Sequence, residues 1–330
     1  MPVPYMGSKR VSAPEIVNLI RAYCPEATDL YDVFCGGFAI SEWAIKKGWK
    51  VHASDLNESV VALINEVLFG ECLDPKNGEN VFEHPSFIDR QIFFEYIKRN
   101  DWWGGYMKCI WSFGNNNRSY LFGQDIEPMK KLGHELVVDC KVSKDLPIPL
   151  IIQNKIIRLP DWHVRRMALK KYLAANKKRG ELEQLQRLQR LQQLQRLEQL
   201  QQLQQLERLQ CKSYDEVDIP AGAVIYCDPP YRNTAGYSAN SESGFDHEEF
   251  YNWCREKSKT NPVFVSEYWM PEDFDKIFEF SRRQTLSSSC GGQTKHNEKV
   301  YFMDRTKYVD VIIKRGENFT GEKAVKVNGD

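Results

Sequence analysis

A short acidic and aromatic motif, Asp228-Pro229-Pro230-Tyr231, begins two residues after the apolar run 224–226. The apolar run favours a buried strand. The prolines cannot continue a sheet because they lack a backbone N–H, and each keeps the preceding residue extended. The carboxylate and carbonyl oxygens of the motif therefore stand ready to accept hydrogen bonds beside a flat aromatic ring. Because ligands in open α/β sheets bind outside the carboxyl ends of strands, the motif predicts a binding or catalytic site. An ordinary acidic turn is the alternative.

A second candidate site lies near the amino end, where the strand-like run 29–34 leads into Cys35, Gly36 and Gly37. Glycines there let a ligand approach the backbone, and the next helix begins with N–H groups that have no partner within the helix. The pattern is neither the G-x-G-x-x-G of dinucleotide enzymes nor a phosphate loop. Asp55 ends the next predicted strand, where an acid hydrogen-bonds ribose hydroxyls. These residues predict a pocket for adenosine without a pyrophosphate, and adenosine carrying methionine fits that description.

Strand and helix patterns alternate around both sites. Residues 29–34 and 49–55 are typical of strands, with a helix between them. Residues 57–70 predict a second helix, with Asn57 as its N-cap and Gly70 at its end. This order indicates a parallel sheet with right-handed crossovers. The further predicted strands are residues 224–227, residues 261–268 and, as a closing antiparallel pair, residues 299–302 and 308–315.

The region between the two halves of this sheet has a different character. Residues 71–160 lose the alternation and are rich in aromatic residues, Asn and Gly, which indicates an inserted helical and loop region. The three tryptophans Trp102, Trp103 and Trp111 are expected in its core. Residues 155–179 carry nine Lys and Arg against a single Asp. On a chain of formal net charge zero, this cluster predicts a contact with a phosphate backbone, and a solvated helix face is the alternative.

Leucine occupies every third position from Leu182 to Leu209, among Gln, Glu and Arg. In an α-helix this spacing drifts by about 60° per step, so over its full length the leucines would wind round the helix instead of forming a coiled-coil seam. A low-complexity expansion is the preferred interpretation. A self-associating, stacking repeat is the alternative.

The composition suits an intracellular globular protein. Hydrophobic residues make up 42% of the chain, and none of the nine cysteines forms a C-x-x-C pair. We therefore expect reduced thiols, no zinc site and no other metal. No stretch resembles a signal peptide or a membrane span, which predicts a cytoplasmic protein.

Four elements in order carry a family resemblance: residues 4–9 (PYMGSK), residues 32–37 (DVFCGG), Asp55 and the motif at 228–231. Together they resemble the Dam-like, D12 class DNA adenine N6-methyltransferases, which use S-adenosylmethionine. The resemblance covers residues 1–70 and about 210–315. The run SFGNNNRSYLFG, the Leu-Gln repeat and the run YCDPPYRNTAGY are similar to phage and prophage members. This resemblance implies a role in DNA methylation and in restriction and modification.

The resemblance implies a fold and a domain plan. The fold is α/β, a Rossmann-like S-adenosylmethionine-dependent methyltransferase sheet with a helical target-recognition insertion. The implied domains are residues 1–70 and 211–315 for catalysis, 71–181 for target recognition, 182–210 for the repeat and 316–330 as a loose tail.

The resemblance also assigns roles to residues. The implied cofactor-binding residues are Tyr5, Lys9, Asp32, Phe34, Cys35, Gly36, Gly37, Asp55 and Asp228. The implied catalytic residues are Asp228, Pro229, Pro230 and Tyr231. Phe38 departs from the pattern, because family members often have a further Gly at its position. The larger Phe side chain narrows the cofactor loop.

The implied reaction gives the motif at 228–231 a chemical purpose. The exocyclic amine of adenine is a poor nucleophile, because its lone pair is delocalised into the ring. Asp228 and the carbonyl of Pro229 would each accept one N–H and aim that lone pair at the methyl group, while Tyr231 stacks on the base. The base must first leave the duplex. Transfer then depends on positioning and electrostatics and needs no metal.

The substrate implied is double-stranded DNA, bound by a monomer or weak dimer. Asn115, Asn116, Asn117 and Arg118 are candidates for reading bases, since Asn and Arg commonly contact A and G; a structural Gly–Asn turn is the alternative. The candidates for contacting phosphates are Arg165, Arg166, Lys170 and Lys171.

Two other functions stay open at this point. The first is methylation of cytosine N4 or of an RNA base, against which the Asp at position 228 argues, because cytosine enzymes more often carry Ser there. The second is a non-catalytic DNA-binding or assembly protein that uses the repeat, against which the intact motif argues.

Overall fold

The computed structural model describes residues 3–5, 8–176, 194, 197–203, 207–232, 244–280 and 297–305. The chain divides into two compact units. The first unit comprises residues 1–10, 36–42 and 57–208, and the second unit comprises residues 11–35, 43–56 and 209–330.

All seven strands of the described chain belong to the second unit and form one sheet in the order β3-β2-β1-β4-β5-β7-β6. Their bounds are Asp29–Asp32 (β1), Lys50–Asp55 (β2), Gln210–Cys211 (β3), Val224–Cys227 (β4), Val263–Glu267 (β5), Asp275–Phe280 (β6) and Glu298–Met303 (β7). The first five strands pair in parallel, and β7 runs antiparallel to both β5 and β6. With the helices this is the predicted α/β, Rossmann-like methyltransferase fold.

Nine α-helices lie within the described residues. They are Ala13–Tyr23 (α1), Ala39–Lys46 (α2), Glu58–Phe69 (α3), Arg90–Tyr96 (α4), Trp102–Ile110 (α5), Glu127–Val137 (α6), Leu150–Ile157 (α7), Trp162–Ala175 (α8) and His247–Lys257 (α9). Two 3₁₀-helices span Phe113–Asn115 and Gln199–Gln202. None of the described helices has the length and apolar character that crossing a membrane requires.

The strands predicted at 29–34, 49–55, 224–227 and 261–268 are confirmed as β1, β2, β4 and β5. The predicted strand 299–302 is confirmed within β7, but its described antiparallel partners are β5 and β6. The other member of the predicted closing pair, residues 308–315, lies outside the described residues. The sequence did not predict β6, because this edge strand is largely exposed and carries charged residues between its apolar ones.

The central strands are buried on both faces, as parallel strands covered by helices are. All four residues of β4 and all five of β5 are buried. On one face, Ile225 and Val263 pack with Phe250 and Cys254 of α9. On the other face, Phe264 contacts Tyr23 of α1, with ring centroids 6.1 Å apart. This double cover holds β4 and β5 in place at the centre of the sheet.

The first unit is built round the contact of α3 with α5. The side chain of Asn57 caps α3 by accepting the N–H of Val60, and Gly70 ends the helix, both as predicted. Trp103 and Trp111 are buried as expected, whereas Trp102 is half-buried.

The part of the Leu-Gln repeat that the structure describes packs into this unit. Leu194, Leu197 and Leu200 are fully buried, and the 3₁₀-helix at 199–202 contacts α3. Of these leucines only Leu200 lies in the 3₁₀-helix, whereas Leu194 and Leu197 have α-helical geometry. At a drift of about 60° per three-residue step, three successive leucines span about 120° of an α-helix, so one packing surface can bury them all. Most of residues 177–206 lies outside the described residues.

Candidate active site

The predicted catalytic residues lie at the carboxyl edge of the sheet in the second unit. The parallel strands β1, β2 and β4 end at Asp32, Asp55 and Cys227, and Asp32 is in register with Tyr226 of β4. Asp32 is buried, while Asp55 and Asp228 are half-buried. The sheet thus brings the three predicted acids to one edge of three neighbouring strands.

The motif after β4 follows Tyr226, a buried tyrosine of that strand, and ends on the half-buried Tyr231. The Tyr226 hydroxyl lies 2.7 Å from Ser266 Oγ of β5, which ties the ends of the two strands together. Burial, and then the charge of Asp228, raise the pKa of Tyr231 well above its usual value. The same two causes raise the pKa of Tyr226. Both phenols therefore stay protonated at neutral pH and serve as neutral, polar neighbours of the Asp228 carboxylate.

The loop after β1 is anchored to both neighbouring strands. The N–H of Val33 donates to the Tyr226 carbonyl at 3.3 Å, and the N–H of Cys35 donates to the Ser54 carbonyl at 3.0 Å. Burial, followed by the charges of Asp55 and Asp32, raises the pKa of the Cys35 thiol well above its usual value. Its burial and raised pKa keep Cys35 a neutral thiol, which argues against a nucleophilic role for it.

Phe34, another predicted cofactor residue, packs into an aromatic cluster. Its ring stacks on Tyr214 with centroids 5.3 Å apart and contacts Phe245 and Phe250 edge-on. These contacts fix the direction in which the chain leaves β1.

The two glycines that continue this loop pack against the amino-terminal segment of the first unit. A Cβ on Gly37 would lie 2.6 Å from the Val3 carbonyl oxygen and 2.8 Å from Tyr5 Cβ, and one on Gly36 would lie 3.1 Å from the Tyr5 ring. The N–H of Val3 donates to the Gly37 carbonyl at 2.9 Å. The sequence explained these glycines by ligand approach, but the described contacts explain them by the close approach of residues 3–5.

The two predicted cofactor-binding residues of the amino-terminal segment are largely shielded from solvent. Lys9 is only 8% exposed, and Tyr5 is half-buried. Met6 and Gly7, within the same sequence motif, lie outside the described residues.

One residue of this edge escaped the sequence analysis. Leu56 directly follows Asp55 and is 67% exposed, a high value for leucine at a strand end. A carboxylate beside an exposed apolar side chain matches the polar sugar and the flat apolar base of a nucleoside. The signal in the sequence was the apolar residue after the acid.

The Asn-rich run of the first unit forms a tight hairpin, residues 112–120. Ser112 and Tyr120 form an antiparallel bridge, and Phe113 N–H donates to the Ser119 carbonyl at 2.8 Å. Asn116 Oδ1 accepts the N–H groups of Arg118 and Ser119, both at 2.9 Å.

Of the other residues of the hairpin, one shapes the turn and two expose their side chains. Asn117 has a φ of 58°, in the left-handed region that Asn tolerates. The two asparagines therefore shape the turn, which supports the structural alternative for them. Arg118 is exposed, and Phe113 is 64% exposed, which the sequence analysis missed. The side chain of Asn115 lies outside the described residues.

The basic cluster on α8 separates into two kinds of residue. The Arg165 guanidinium donates to the carbonyls of Val137 and Val138, at 2.7 and 3.1 Å, and to those of Leu159 and Pro160. Arg166 is only 8% exposed. Arg165 thus holds neighbouring backbone together and Arg166 is buried, while the contact of either arginine with phosphates stays a prediction. Lys170 and Lys171 are exposed.

Comparison with known families decides between the functions that the sequence left open. The sequence model of the D12 class N6 adenine-specific DNA methyltransferases matches residues 5–101 and 151–289. The chain belongs to this family. This D12 class enzyme methylates N6 of adenine in DNA and takes the methyl group from S-adenosylmethionine. No curated protein sequence matches the chain.

The match covers every predicted cofactor and catalytic residue of the enzyme and leaves out residues 102–150, which contain the hairpin 112–120. Within the described residues, no group of three or more His, Cys, Asp and Glu has an arrangement suited to a metal ion.

Proposed function

We propose that this methyltransferase is a Dam-like enzyme of the phage or prophage type that methylates a flipped-out adenine within a short recurring sequence of double-stranded DNA. The observation that carries the proposal is the position of Asp228-Pro229-Pro230-Tyr231 at the carboxyl end of β4, at the same edge of the sheet as the acids that end β1 and β2. The family match to the same residues supports it.

Asp228 and the Pro229 carbonyl are proposed as the acceptors for the two N–H groups of the target amine. The prolines keep the turn extended, so the two oxygens are presented without the freedom of an ordinary loop. Tyr231 follows directly and offers a ring for the extruded base. The chain's contribution is orientation, which converts a weak amine into one aimed along the line of attack.

S-adenosylmethionine supplies the reactive methyl group when it is bound. The residues present fit it, since Asp55 suits the ribose hydroxyls and the exposed Leu56 suits the adenine ring. Cofactor contacts are also proposed for Asp32, for the backbone of residues 34–37 and for Tyr5 and Lys9. Phe34 and Cys35 are proposed to act through their backbone, because one side chain packs in the aromatic cluster and the other is a neutral buried thiol.

Target recognition is proposed for the hairpin 112–120, with the exposed Phe113 and Arg118 as its contacts. The turn is stiff, because Asn116 and the bridge between Ser112 and Tyr120 hold it from within. A stiff loop with an aromatic ring and a cation at its surface suits recognition of base edges and stacks. Lys170 and Lys171 are proposed to contact phosphates.

The enzyme is proposed to act as a monomer or weak dimer in the cytoplasm of a bacterial or phage-infected cell, where its DNA substrate lies. A role within restriction and modification is part of this proposal. The domain plan also stays a proposal, with residues 1–70 and 211–315 for catalysis and 71–181 for target recognition.

The test is single-molecule sequencing of plasmid DNA from methylation-deficient cells that express the chain. We expect N6-methyladenine in one recurring motif for the wild type and none for Asp228→Ala. The variant should keep its fold, since Asp228 lies beyond the end of the strand. Methyladenine made by folded Asp228→Ala would refute the assignment of the catalytic residue, and modification without a recurring motif would refute the recognition role of the hairpin.

A further inference from the structure

Glu267, the last residue of β5, places its carboxylate against the backbone that follows the catalytic motif. Glu267 Oε2 accepts the N–H of Arg232 at 3.3 Å, and Oε1 accepts the N–H of Tyr268 at 2.7 Å. Arg232 is the residue directly after Tyr231. One side chain therefore joins the segment that leaves β4 to the segment that leaves β5.

The burial of this carboxylate shows that the contact is not incidental. Glu267 is 1% exposed, at the edge of a strand whose other residues are Val, Phe and Ser. A buried carboxylate is costly unless hydrogen bonds compensate it, and an apolar residue would fill the same space without that cost. The two backbone N–H groups give the reason for a carboxylate at this position.

An aromatic contact joins the same two segments. The rings of Tyr231 and Tyr268 meet edge-to-face, with centroids 4.7 Å apart. Each ring belongs to a segment that Glu267 holds by the backbone. Loss of the carboxylate would therefore release the turn and the ring contact together.

We infer that Glu267 is a positioning residue for methyl transfer, which holds the turn 228–231 in the geometry that presents its two acceptor oxygens. This inference rests on the proposed role of that turn. Glu267 acts through the backbone of Arg232 and Tyr268. Its removal should slow the chemical step and leave the binding of cofactor and DNA unchanged.

Glu267→Gln tests the inference, because glutamine keeps the shape but one of its two terminal atoms can no longer accept a hydrogen bond. The measurement is the single-turnover rate of label transfer from S-adenosylmethionine to unmethylated plasmid DNA, beside the dissociation constants for both. We expect the rate to fall about 10- to 100-fold with both constants unchanged, as a small misplacement of reacting groups produces.

Glu248→Gln is the matched control. The Glu248 carboxylate also contacts Arg232, but through the guanidinium, at 3.1 Å, and it is exposed. This variant should keep the wild-type rate. If Glu267→Gln does not fold, Glu267→Asp serves instead, since its shorter side chain keeps the charge but not the reach, and the same slow transfer is expected.

The outcomes separate this inference from the proposed function. Wild-type transfer rates in folded Glu267→Gln, while Asp228→Ala is inactive, would overturn the positioning role alone. A slow step accompanied by equally weakened binding would also overturn it, because that pattern belongs to general disruption of the site. Activity in Asp228→Ala would instead overturn the proposed catalytic turn.

Discussion

Phe38 shows at the scale of one residue how the loop after β1 departs from the usual glycine. Its φ of 67° lies in the left-handed region, which costs an ordinary residue about 1 kcal/mol or more relative to glycine. Its ring, however, is completely buried, and burial of a Phe side chain contributes roughly 2–3 kcal/mol. Burial therefore outweighs the backbone strain, which explains how Phe stands where family members often have Gly.

The balance at Phe38 predicts that glycine is a better replacement than alanine there, which is the reverse of the order expected within a helix. Phe38→Ala loses the ring and keeps the strain, whereas Phe38→Gly loses the ring and removes the strain. Both should lower the free energy of unfolding by about 2–5 kcal/mol, with the Gly variant more stable than the Ala variant by about 1 kcal/mol. Urea denaturation measures this difference. Phe93 is the control, because it is equally buried but lies in α4, where Gly should be the worse replacement. The same order at both positions would contradict the account.

The helices α3 and α5 approach each other closely at Gly105. A Cβ on Gly105 would lie 2.0 Å from the Ser59 carbonyl oxygen and 2.9 Å from Leu63 Cβ. Lys108 of α5 reinforces the contact by donating to Ser59 Oγ at 2.9 Å. Burial lowers the pKa of Lys108, so this hydrogen bond also compensates a partly buried charge.

Gly105→Ala should force α3 and α5 apart. Alanine favours a helix by about 1 kcal/mol over glycine, but the clash is with backbone and cannot be relieved by a rotamer change. We expect a net loss of about 1–3 kcal/mol in unfolding free energy, measured by urea denaturation. Gly244→Ala is the control, because no atom of the described residues lies within 4 Å of its Cβ position. A stabilised Gly105→Ala would show that propensity outweighs the crossing.

A network of two arginines and one acid joins α9 to the segment before β6 and the segment after β7. Arg255 of α9 donates to both oxygens of Asp273, at 2.8 and 3.0 Å, and Arg305, just after β7, donates at 3.2 Å. The hydrogen bond from Arg255 lowers the pKa of Asp273 below its ordinary value of 3.8. A lowered pKa means that the charged form stabilises the fold, above the unfolded-state pKa, and that this contribution is lost as pH falls through the lowered value.

Asp273→Asn should therefore be destabilising in a pH-dependent way. At pH 7 we expect a cost of about 1 kcal/mol, since the network is partly exposed and screened by solvent. The gap between wild type and variant should close progressively as the pH is lowered below 3.8. Urea denaturation between pH 7 and pH 3 measures this. Glu256→Gln, which removes an exposed pair with Lys259, should cost little, and a gap that persists at the lowest pH would refute the charge argument.

Across the whole molecule, the features that could be predicted from the sequence are those that leave a pattern in neighbouring residues. Apolar runs identified β1, β2, β4 and β5, and the order of motifs identified the family. The exposed and charged β6 lacked such a pattern. The sequence could not show the partners of Arg165, because the carbonyls of Val137 and Val138 lie almost 30 residues away and only the fold brings them to its guanidinium.

The parallel strands give the sheet a carboxyl edge and an amino edge, and cofactor binding can show which edge holds the site. A ligand that binds only the native chain stabilises it, by about 2.7 kcal/mol at a concentration 100 times its dissociation constant. S-adenosylmethionine should therefore raise the midpoint of thermal unfolding of the wild type. Asp55→Asn, at the carboxyl end of β2, should remove most of this rise. Asp29→Asn, at the amino end of β1, should keep it.

Asp29 is a demanding control for this experiment because it also matters to stability. Its Oδ1 lies 3.0 Å from His52 Nε2, and hydrogen bonds from Thr28 and His52 lower the pKa of Asp29. Asp29→Asn should consequently unfold at a lower temperature without cofactor, yet respond to cofactor as the wild type does. Differential scanning fluorimetry at several cofactor concentrations separates these two effects. If Asp29→Asn lost the response while Asp55→Asn kept it, the cofactor would bind at the opposite edge of the sheet.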